Sequence, residues 1–305
     1  MSAVPPRPAW TRGESIFGAS TADLVSIPMI TPEWAWGGAS GRGVRVAVLD
    51  SGIQADHPAL EGCVDADTGI ALRLSDDGEV LEEPGPHEDL FGHGTACAGI
   101  IHKLAPEARI TSVRVLGQAL TGRSKVFLRA LAWAIAEGYD VINLSLSTST
   151  RDWALPFYEI CDEAYFRRCF VVTSADNRPG VTFPSLYSSV TSVACNLASE
   201  PFEFYANPEP PTEFLAPGID VEVPWAGGRT MRVTGNSFAA PHISGIAALI
   251  CSKHPGLRPF EIKSALMATA ANLPGEALGS LPRIGQDATR IGLSARTRSA
   301  IGSQP

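Results

Sequence analysis

The order in which strand and helix patterns follow one another constrains the fold of this chain more than any other feature. Apolar, β-branched runs typical of buried strands lie at 44–49, 109–116, 140–146, 169–173 and 190–194. Apolar residues at helical spacing lie between them, most clearly at 124–136 and 159–168. This alternation predicts an α/β fold with a doubly wound, mainly parallel sheet and helices on both faces, in three α/β/α layers.

Length and charge limit the classes of protein to consider. With 305 residues and 45% hydrophobic content, the chain can bury a substantial core. Its formal net charge of -8 argues against a nucleic-acid or anionic-membrane binder, because both need a basic face. No stretch reaches the ~20 apolar residues of a membrane span, and residues 1–20 lack the apolar core of a signal peptide. We therefore expect a cytoplasmic protein.

Composition divides the chain into an arm, a domain and a tail. Residues 1–25 are rich in Pro, Ser and Gly without sustained periodicity, which indicates an N-terminal arm. Residues 26–275 carry the strand and helix patterns and are predicted to form one domain. Residues 276–305 are rich in Gly, Ser and Arg with weak periodicity, and we expect a flexible C-terminal tail there.

The sequence offers no pattern for a metal or a cofactor. Its six cysteines lack both zinc-site spacing and disulfide density, so reduced, buried thiols are expected. His93 and His102 are too far apart for a helical zinc motif, and no His-Glu-x-x-His occurs. The acidic stretch 65–88 lacks the regular carboxylate alternation of a calcium loop, which favours a solvated loop. We expect neither metal nor cofactor, although the acidic stretch leaves a non-standard calcium site open.

A serine stands where a loop gives way to an apolar helix. Ser237 lies among small residues in the stretch 235–245, which reads Gly-Asn-Ser-Phe-Ala-Ala-Pro-His-Ile-Ser-Gly. At that position a hydroxyl is exposed near the positive end of the helix, as a nucleophile requires. Capping of the helix N-terminus explains the same serine. The stretch alone leaves both interpretations open.

An aspartate and a histidine complete a pattern of nucleophilic catalysis. Asp50 follows the strand pattern at 44–49, at the edge where catalytic groups gather in parallel sheets, although a turn residue would also fit. His93 lies between glycines at the start of a helical pattern, which leaves room for another group beside the imidazole. A serine nucleophile needs such a base, and the base needs an orienting carboxylate. The order Asp, His, Ser excludes the α/β-hydrolase arrangement.

Sequence blocks around these residues resemble the signature blocks of the subtilisin-like serine proteases, in the same order. They are Val-Ala-Val-Leu-Asp50-Ser-Gly, His93-Gly-Thr and Gly-Asn-Ser237-Phe-Ala-Ala-Pro-His. Accessory segments resemble the family's substrate-binding strand (141–145), the strand before its oxyanion asparagine (171–177), its cis-proline loop (183–184) and a turn (216–218). The similarity spans roughly 26–273 and implies the subtilisin-like fold.

The resemblance implies a role for each matching residue. Ser237 would be the nucleophile, His93 the general base and then acid, and Asp50 the partner of the second imidazole nitrogen. Asn177 would donate its side-chain amide to the oxyanion, together with the Ser237 backbone N–H, although a turn residue would also fit Asn177. The residues that match the family's substrate-binding segments are Ser145, Leu146, Ser147, Thr173, Ser174, Ala175 and Asn236.

The sequence departs from the family pattern beside the predicted nucleophile and along the substrate strand. Asn236 stands where the family usually has Thr, and Phe238 where it has Met. Ser147 and Thr148 replace two glycines, which predicts a narrower pocket and selective cleavage. Asp176 replaces a glycine before the oxyanion asparagine, where a carboxylate either favours a basic substrate group or points to solvent.

Together these features predict a serine endopeptidase that works through an acyl-enzyme. The missing signal-peptide pattern and the free thiols favour selective intracellular processing of a peptide or protein. The alternatives are a transpeptidase or macrocyclase in peptide maturation, and a catalytically silent module that binds peptides. The expected partner is a peptide or protein substrate, with no nucleic acid and no membrane, and the sequence does not indicate an oligomeric state.

Overall fold

The computed structural model describes residues 30–177, 180–209 and 211–272, and the elements below lie in the unit Thr31–Pro305. The predicted arm at 1–25 and the predicted tail at 276–305 lie outside the described residues, so the division of the chain stays a prediction. In the part that is described, no helix is both long enough and apolar enough to cross a membrane.

The described residues form the following helices and strands. The helices are α1 (Pro32–Trp36), α2 (His93–Leu104), α3 (Ser124–Ala136), α4 (Ala154–Phe166), α5 (Asn236–Lys253) and α6 (Pro259–Thr269). The strands are β1 (Arg45–Asp50), β2 (Ile70–Leu74), β3 (Val80–Pro84), β4 (Arg109–Arg114), β5 (Val141–Leu144), β6 (Phe170–Ser174), β7 (Thr191–Asn196), β8 (Tyr205–Ala206), β9 (Phe214–Pro217), β10 (Val221–Trp225) and β11 (Arg229–Val233). Every strand pattern described above corresponds to an observed strand, and α3 has the predicted bounds.

Most of the strands lie in a single sheet. Its 9 strands follow the order β3-β2-β4-β1-β5-β6-β7-β9-β8. All neighbours are parallel except the outermost pairs, β2 with β3 and β8 with β9. Strands β10 and β11 form a separate antiparallel hairpin. The predicted doubly wound, mainly parallel sheet is confirmed.

Alternating side chains along the strands build a core on each face of the sheet. On one face, Leu49 of β1 and Ile142 of β5 share a cluster with Leu131 of α3 and with residues of α4. On the other face, α2 packs against β1, and α5 packs across β5, β6, β7 and β9. Asn143 points to this second face, where it accepts a hydrogen bond from Ser244 of α5 at 2.9 Å. The structure therefore has the three layers that the sequence predicts.

Helices α2 and α5 lie against each other on this second face. Residues 238–250 of α5 are buried on every side, which explains why the helix is made of apolar and small residues all round. Gly245 of α5 lies against Leu104 of α2, and a Cβ atom added at Gly245 would come within 2.8 Å of the Leu104 Cβ atom. The close approach of the two helices therefore depends on the missing side chain at Gly245.

The prediction of a solvated loop over 65–88 is wrong, because this stretch contains the β2–β3 hairpin. Ile70 and Leu72 are buried against the core, and their burial outweighs the acidic composition around them. The carboxylates of β3 are exposed and pair with basic side chains, as Glu83 does with Arg73 at 2.8 Å. An acidic stretch can therefore form an edge hairpin when its alternate residues are apolar.

Other differences from the sequence prediction are local. Helix α4 begins at Ala154 rather than at 159, with Pro156 in its first turn, where a missing backbone N–H costs nothing. The β10–β11 hairpin was not predicted. The bond between Phe183 and Pro184 is cis, as the resemblance implied.

We expect Gly245→Ala to destabilise the protein by about 1–3 kcal/mol, because the added methyl group collides with Leu104 in a closely packed contact. Without that collision, the change would favour the helix by up to about 1 kcal/mol. Urea unfolding of the full chain measures the difference. Gly256→Ala is the matched control, since a Cβ atom there meets no atom within 4 Å. A Gly245→Ala protein as stable as the parent would contradict the tight helix contact.

Candidate active site

The predicted catalytic residues meet at the carboxyl edge of the sheet. Asp50 is the last residue of β1, His93 is the first residue of α2, and Ser237 is the second residue of α5. The His93 Nδ1 atom lies 2.8 Å from Asp50 Oδ2 and 2.9 Å from Asp50 Oδ1. The His93 Nε2 atom lies 2.8 Å from Ser237 Oγ. A continuous chain of hydrogen bonds therefore joins side chains from three distant parts of the sequence.

Asp50 is completely buried, so its charge has to be balanced inside the protein. The Ser51 backbone N–H donates to Asp50 Oδ1 at 2.7 Å, and the His93 imidazole donates from Nδ1. Because an ionised carboxylate only accepts hydrogen bonds, it holds the proton of a neutral His93 on Nδ1. The His93 Nε2 atom is then the acceptor that faces the Ser237 hydroxyl, which is the tautomer that a general base needs.

Opposing effects act on the pKa of His93. Burial of the ring disfavours the charged form and lowers the pKa, whereas the charge of Asp50 and the contact with Cys97 raise it. The raising effects outweigh burial, and the pKa of His93 is raised well above its usual 6.5. An imidazolium formed by proton transfer from Ser237 is therefore stabilised where it forms.

Glycines on both sides of His93 allow other parts of the chain to approach it closely. A Cβ atom at Gly94 would lie 2.0 Å from the carbonyl oxygen of Gly52, in the turn that follows β1. Gly92 has a φ of 115°, and a Cβ atom there would lie 2.3 Å from the indole nitrogen of Trp225. The clearance expected around His93 is therefore used by the turn after β1 and by an aromatic ring.

Asp89, which was not predicted from the sequence, organises the turn in front of α2. Its Oδ1 atom accepts hydrogen bonds from the Gly92 backbone N–H and the Ser51 hydroxyl, both at 2.7 Å. Its Oδ2 atom accepts from the Thr95 backbone N–H at 2.9 Å and from the Thr95 hydroxyl at 2.6 Å. Asp89 thus connects the end of β1 to the first turn of α2. An acidic residue just before a helical pattern is the feature that could have revealed it.

Ser237 does not act as the cap of α5. The N-cap position belongs to Gly235, which has no side chain to cap the helix. The Ser237 hydroxyl is instead hydrogen-bonded to His93. As the second residue of the helix, Ser237 also has a backbone N–H with no carbonyl partner inside the helix, which suits it to bind an anion.

Asn236 braces the loop that carries Asn177. The Asn236 backbone N–H donates to Asn177 Oδ1 at 2.9 Å, so the amide nitrogen of Asn177 remains available to another acceptor. The Asn236 side chain donates to the carbonyl oxygens of Ala175 at 3.2 Å and Asp176 at 3.0 Å. Its Oδ1 atom accepts from the Cys195 backbone N–H at 2.9 Å. The asparagine in place of the family's usual threonine therefore ties the ends of β6, β7 and α5 together.

A cleft of about 410 Å³ opens beside Ser237. The residues from the predicted set that line it are His93, Ser145, Leu146, Ser147, Ser174, Ala175, Asn177 and Ser237. Thr173 and Asn236 are not among the lining residues. Thr173 is fully buried in β6, and the Asn236 side chain is hydrogen-bonded to the carbonyl groups of Ala175 and Asp176. The cleft is also lined by residues that were not predicted from the sequence, namely Leu116, Leu120, Thr121, Gly122 and Phe127. Nothing in their local pattern relates them to a serine more than 100 positions away.

The residues that replace glycines on the substrate strand differ in what they contact. Ser147 lines the cleft, as the prediction of a narrower pocket requires. Thr148 is buried, and its backbone N–H and C=O pair with Phe183 at 2.9 and 2.8 Å. The Thr148 hydroxyl accepts a hydrogen bond from Ser124. Of Ser147 and Thr148, only Ser147 therefore occupies space in the cleft. The exposed Asp176, which replaces a glycine before Asn177, also lines the cleft.

One cluster of potential metal ligands coincides with the catalytic residues. Within the described residues, Asp50, His93 and Cys97 are the group whose ligand atoms all lie within 4.8 Å of one another. The Cys97 sulfur lies 3.7 Å from Asp50 Oδ2 and 3.8 Å from His93 Nδ1. Burial raises the pKa of the Cys97 thiol, which keeps it protonated. Because His93 Nδ1 donates to Asp50, a metal here would break that hydrogen bond, and the arrangement suits proton transfer better than metal binding.

Known proteins resemble this chain over most of its length. The family model described as the subtilase family matches residues 41–289. Subtilisin E of Bacillus subtilis (strain 168) is 31% identical over 251 residues, which cover 77% of this chain and 62% of subtilisin E. A subtilisin of Bacillus pumilus is 32% identical over 252 residues, which cover 77% of this chain and 86% of that protein. The chain thus spans less than two thirds of the length of subtilisin E.

Solved structures share the fold. A cold adapted subtilisin-like serine proteinase superimposes with a TM-score of 0.61 at 21% identity, covering 77% of this chain and 86% of that one. A lanthipeptide protease superimposes with a TM-score of 0.60 at 26% identity, covering 72% of this chain and 78% of that one. The family match, the relatives and the fold agree with the geometry of Asp50, His93 and Ser237. The chain belongs to the subtilase family.

Proposed function

We propose that this protein is a serine endopeptidase that hydrolyses peptide bonds through an acyl-enzyme. The observation that carries the proposal is the unbroken hydrogen-bond chain from Asp50 through His93 to Ser237. The Ser237 hydroxyl attacks the scissile carbonyl while His93 Nε2 takes its proton, and Asp50 stabilises the imidazolium. His93 then gives this proton to the leaving amine. A water molecule, deprotonated in turn by His93, attacks the acyl-enzyme and releases the carboxylic acid.

The negative charge that develops on the carbonyl oxygen requires hydrogen-bond donors. We propose that the Asn177 amide and the Ser237 backbone N–H supply them. In support, both residues line the cleft, and the Asn236 backbone N–H occupies the Asn177 oxygen, which leaves the Asn177 nitrogen free to donate. Asn236 also holds the carbonyl groups of Ala175 and Asp176, so the donor loop is positioned before substrate arrives. Such preorganisation is what gives an oxyanion hole its effect.

We further propose that cleavage is selective and serves the processing of a peptide or protein. Ser147 takes space in the cleft, which limits the side chains that fit there. A structural neighbour is described as a lanthipeptide protease, which supports a peptide as the substrate. All six cysteines are free, and a reducing compartment such as the cytoplasm preserves thiols.

A fluorophosphonate probe should label the protein at Ser237, because His93 activates this hydroxyl for attack on phosphorus. Mass spectrometry of the intact protein and of its peptides identifies the labelled residue. Ser237→Ala should abolish labelling. Ser252→Ala, at the other end of α5, is the matched control and should leave labelling unchanged.

A folded protein that binds peptide but takes no label would instead support the silent peptide-binding module. If the label attaches, the masses of the peptide products distinguish the remaining alternatives. Hydrolysis adds one water to the products, whereas transpeptidation joins the acyl group to a peptide amine.

Asn177→Ala should lower kcat by about 10²–10³-fold, because one donor to the oxyanion is lost. The KM should change little, since this hydrogen bond strengthens in the transition state. Steady-state kinetics with a cleaved peptide measures both constants. A variant that loses affinity but keeps its kcat would show that Asn177 contacts the bound peptide instead of the oxyanion.

The kcat/KM should fall as the pH drops through the pKa of His93, because a protonated imidazole cannot accept the Ser237 proton. This pKa is raised, so the acid limb should lie above the ordinary value of 6.5. Asp50→Asn removes the charge that raises it, so the residual activity, lower by about 10⁴-fold, should titrate at a lower pH. If the acid limb of the kcat/KM profile lay at the same pH in both proteins, Asp50 would not be the group that raises the pKa of His93.

A further inference from the structure

Two further cavities adjoin the catalytic cleft. The hairpin cavity, about 560 Å³, is lined by residues of β2 and by the segments 114–117 and 121–123. The helix cavity, about 410 Å³, is lined by residues of the β2–β3 hairpin, by 122–125 and by part of the substrate strand. Gly122 lines the cleft and both cavities. A peptide that extends from the cleft past Gly122 therefore meets these cavities.

Several basic side chains around the cavities already have acidic partners. Arg73 pairs with Glu83 at 2.8 Å, and Lys125 pairs with Glu79 at 3.3 Å. Arg123 differs, because it lines both cavities and is exposed, and the described residues provide it with neither an ion pair nor a side-chain hydrogen bond. The positive charge of Arg123 therefore has no acidic partner among the described residues, although the whole chain carries a net charge of -8.

Arg114 adds a second positive charge to the hairpin cavity. Its guanidinium donates to the backbone carbonyl of Glu88 at 3.1 Å, and this neutral partner leaves the charge uncompensated. The carboxylate among the lining residues is Glu83, which Arg73 already binds. The wall of the hairpin cavity therefore carries an excess of positive charge. Asp176 lines the cleft but neither cavity, so its negative charge is separate from the positive charges that line the hairpin cavity.

We propose that the hairpin cavity binds an acidic side chain, Asp or Glu, of the peptide substrate, with Arg123 as the principal contact and Arg114 as the second. Guanidinium groups bind carboxylates with charge-assisted and often bidentate hydrogen bonds, so the pair matches this ligand chemically. The inference rests on the proposed function, because the ligand is part of a peptide held in the cleft.

The alternation of side chains along an extended peptide makes the preference specific to position. Successive side chains point to opposite sides, at a rise of about 3.3 Å per residue. Only side chains that face the hairpin cavity can therefore reach both Arg123 and Arg114. The acidic preference applies to one substrate position, or to positions two residues apart. At the neighbouring positions the charge of the side chain does not affect binding.

Fluorescent octapeptides test this site without turnover. One position at a time carries Glu, Gln or Lys in an otherwise constant alanine-rich sequence, and the full chain with Ser237→Ala is titrated by fluorescence anisotropy. We expect about tenfold tighter binding of Glu than of Lys at one position, because the guanidinium groups attract a carboxylate and repel an ammonium group. The preference should weaken at high salt, since exposed charges are screened.

Substitutions at Arg123 assign the preference. Arg123→Gln should remove most of it, and Arg123→Glu should reverse it in favour of Lys, while the Gln peptide keeps its affinity in both. Arg167→Gln is the control, because Arg167 is an exposed arginine directly after α4 that lines neither cavity. A Glu preference unchanged by Arg123→Glu, or equal binding of Glu and Lys peptides at every position, would overturn the proposal.

The binding assay separates this inference from the proposed function. If the fluorophosphonate probe fails to label Ser237 but Glu peptides bind through Arg123, the protease assignment fails and the acidic-residue site stands. If the probe labels Ser237 and the protein cleaves Glu, Gln and Lys peptides at equal rates, the proposed function stands and the acidic-residue site is refuted.

Discussion

The packing of α2 against α5 determines the distance between the His93 imidazole and the Ser237 hydroxyl. The tight contact of Gly245 with Leu104 lies about 12 Å along α5 from Ser237, at 1.5 Å per residue. Because helices are rigid over such a length, this contact also sets the separation of their first turns. There the imidazole nitrogen and the hydroxyl oxygen lie 2.8 Å apart. A small displacement of either helix would break this hydrogen bond, so packing far from the reacting atoms controls their geometry.

Two carboxylates hold the loops that meet at this point. Asp50 is completely buried, and it accepts hydrogen bonds from the Ser51 N–H and from His93. Asp89 connects Ser51 to the start of α2 through hydrogen bonds to Gly92 and to Thr95. The imidazole is therefore oriented by one carboxylate and carried on a turn that the other organises. The proton transfer proposed for this site would therefore need no prior rearrangement of these residues.

Local patterns were sufficient to predict most elements and the residues that form the hydrogen-bond chain. Helix α3 was predicted within its observed bounds because apolar residues recur along it at helical spacing. Asp50 could be found because it ends a β-branched run, and His93 because glycines flank it. The β2–β3 hairpin was missed, since its acidic residues concealed a short apolar alternation that includes Ile70 and Leu72. Its burial became evident only from the neighbouring strand β4 and helix α3.

The sequence by itself determined the order of strands and helices and the residue types available for proton transfer, because both depend on neighbours a few positions apart. Only the tertiary structure decided that Asn236 braces the loop of Asn177, that Ser147 rather than Thr148 occupies the cleft, and that Arg123 faces the cavities beside it. These outcomes depend on contacts between segments far apart in the chain. Such contacts follow from packing and from the pairing of charges, which the periodicity of a single segment does not encode.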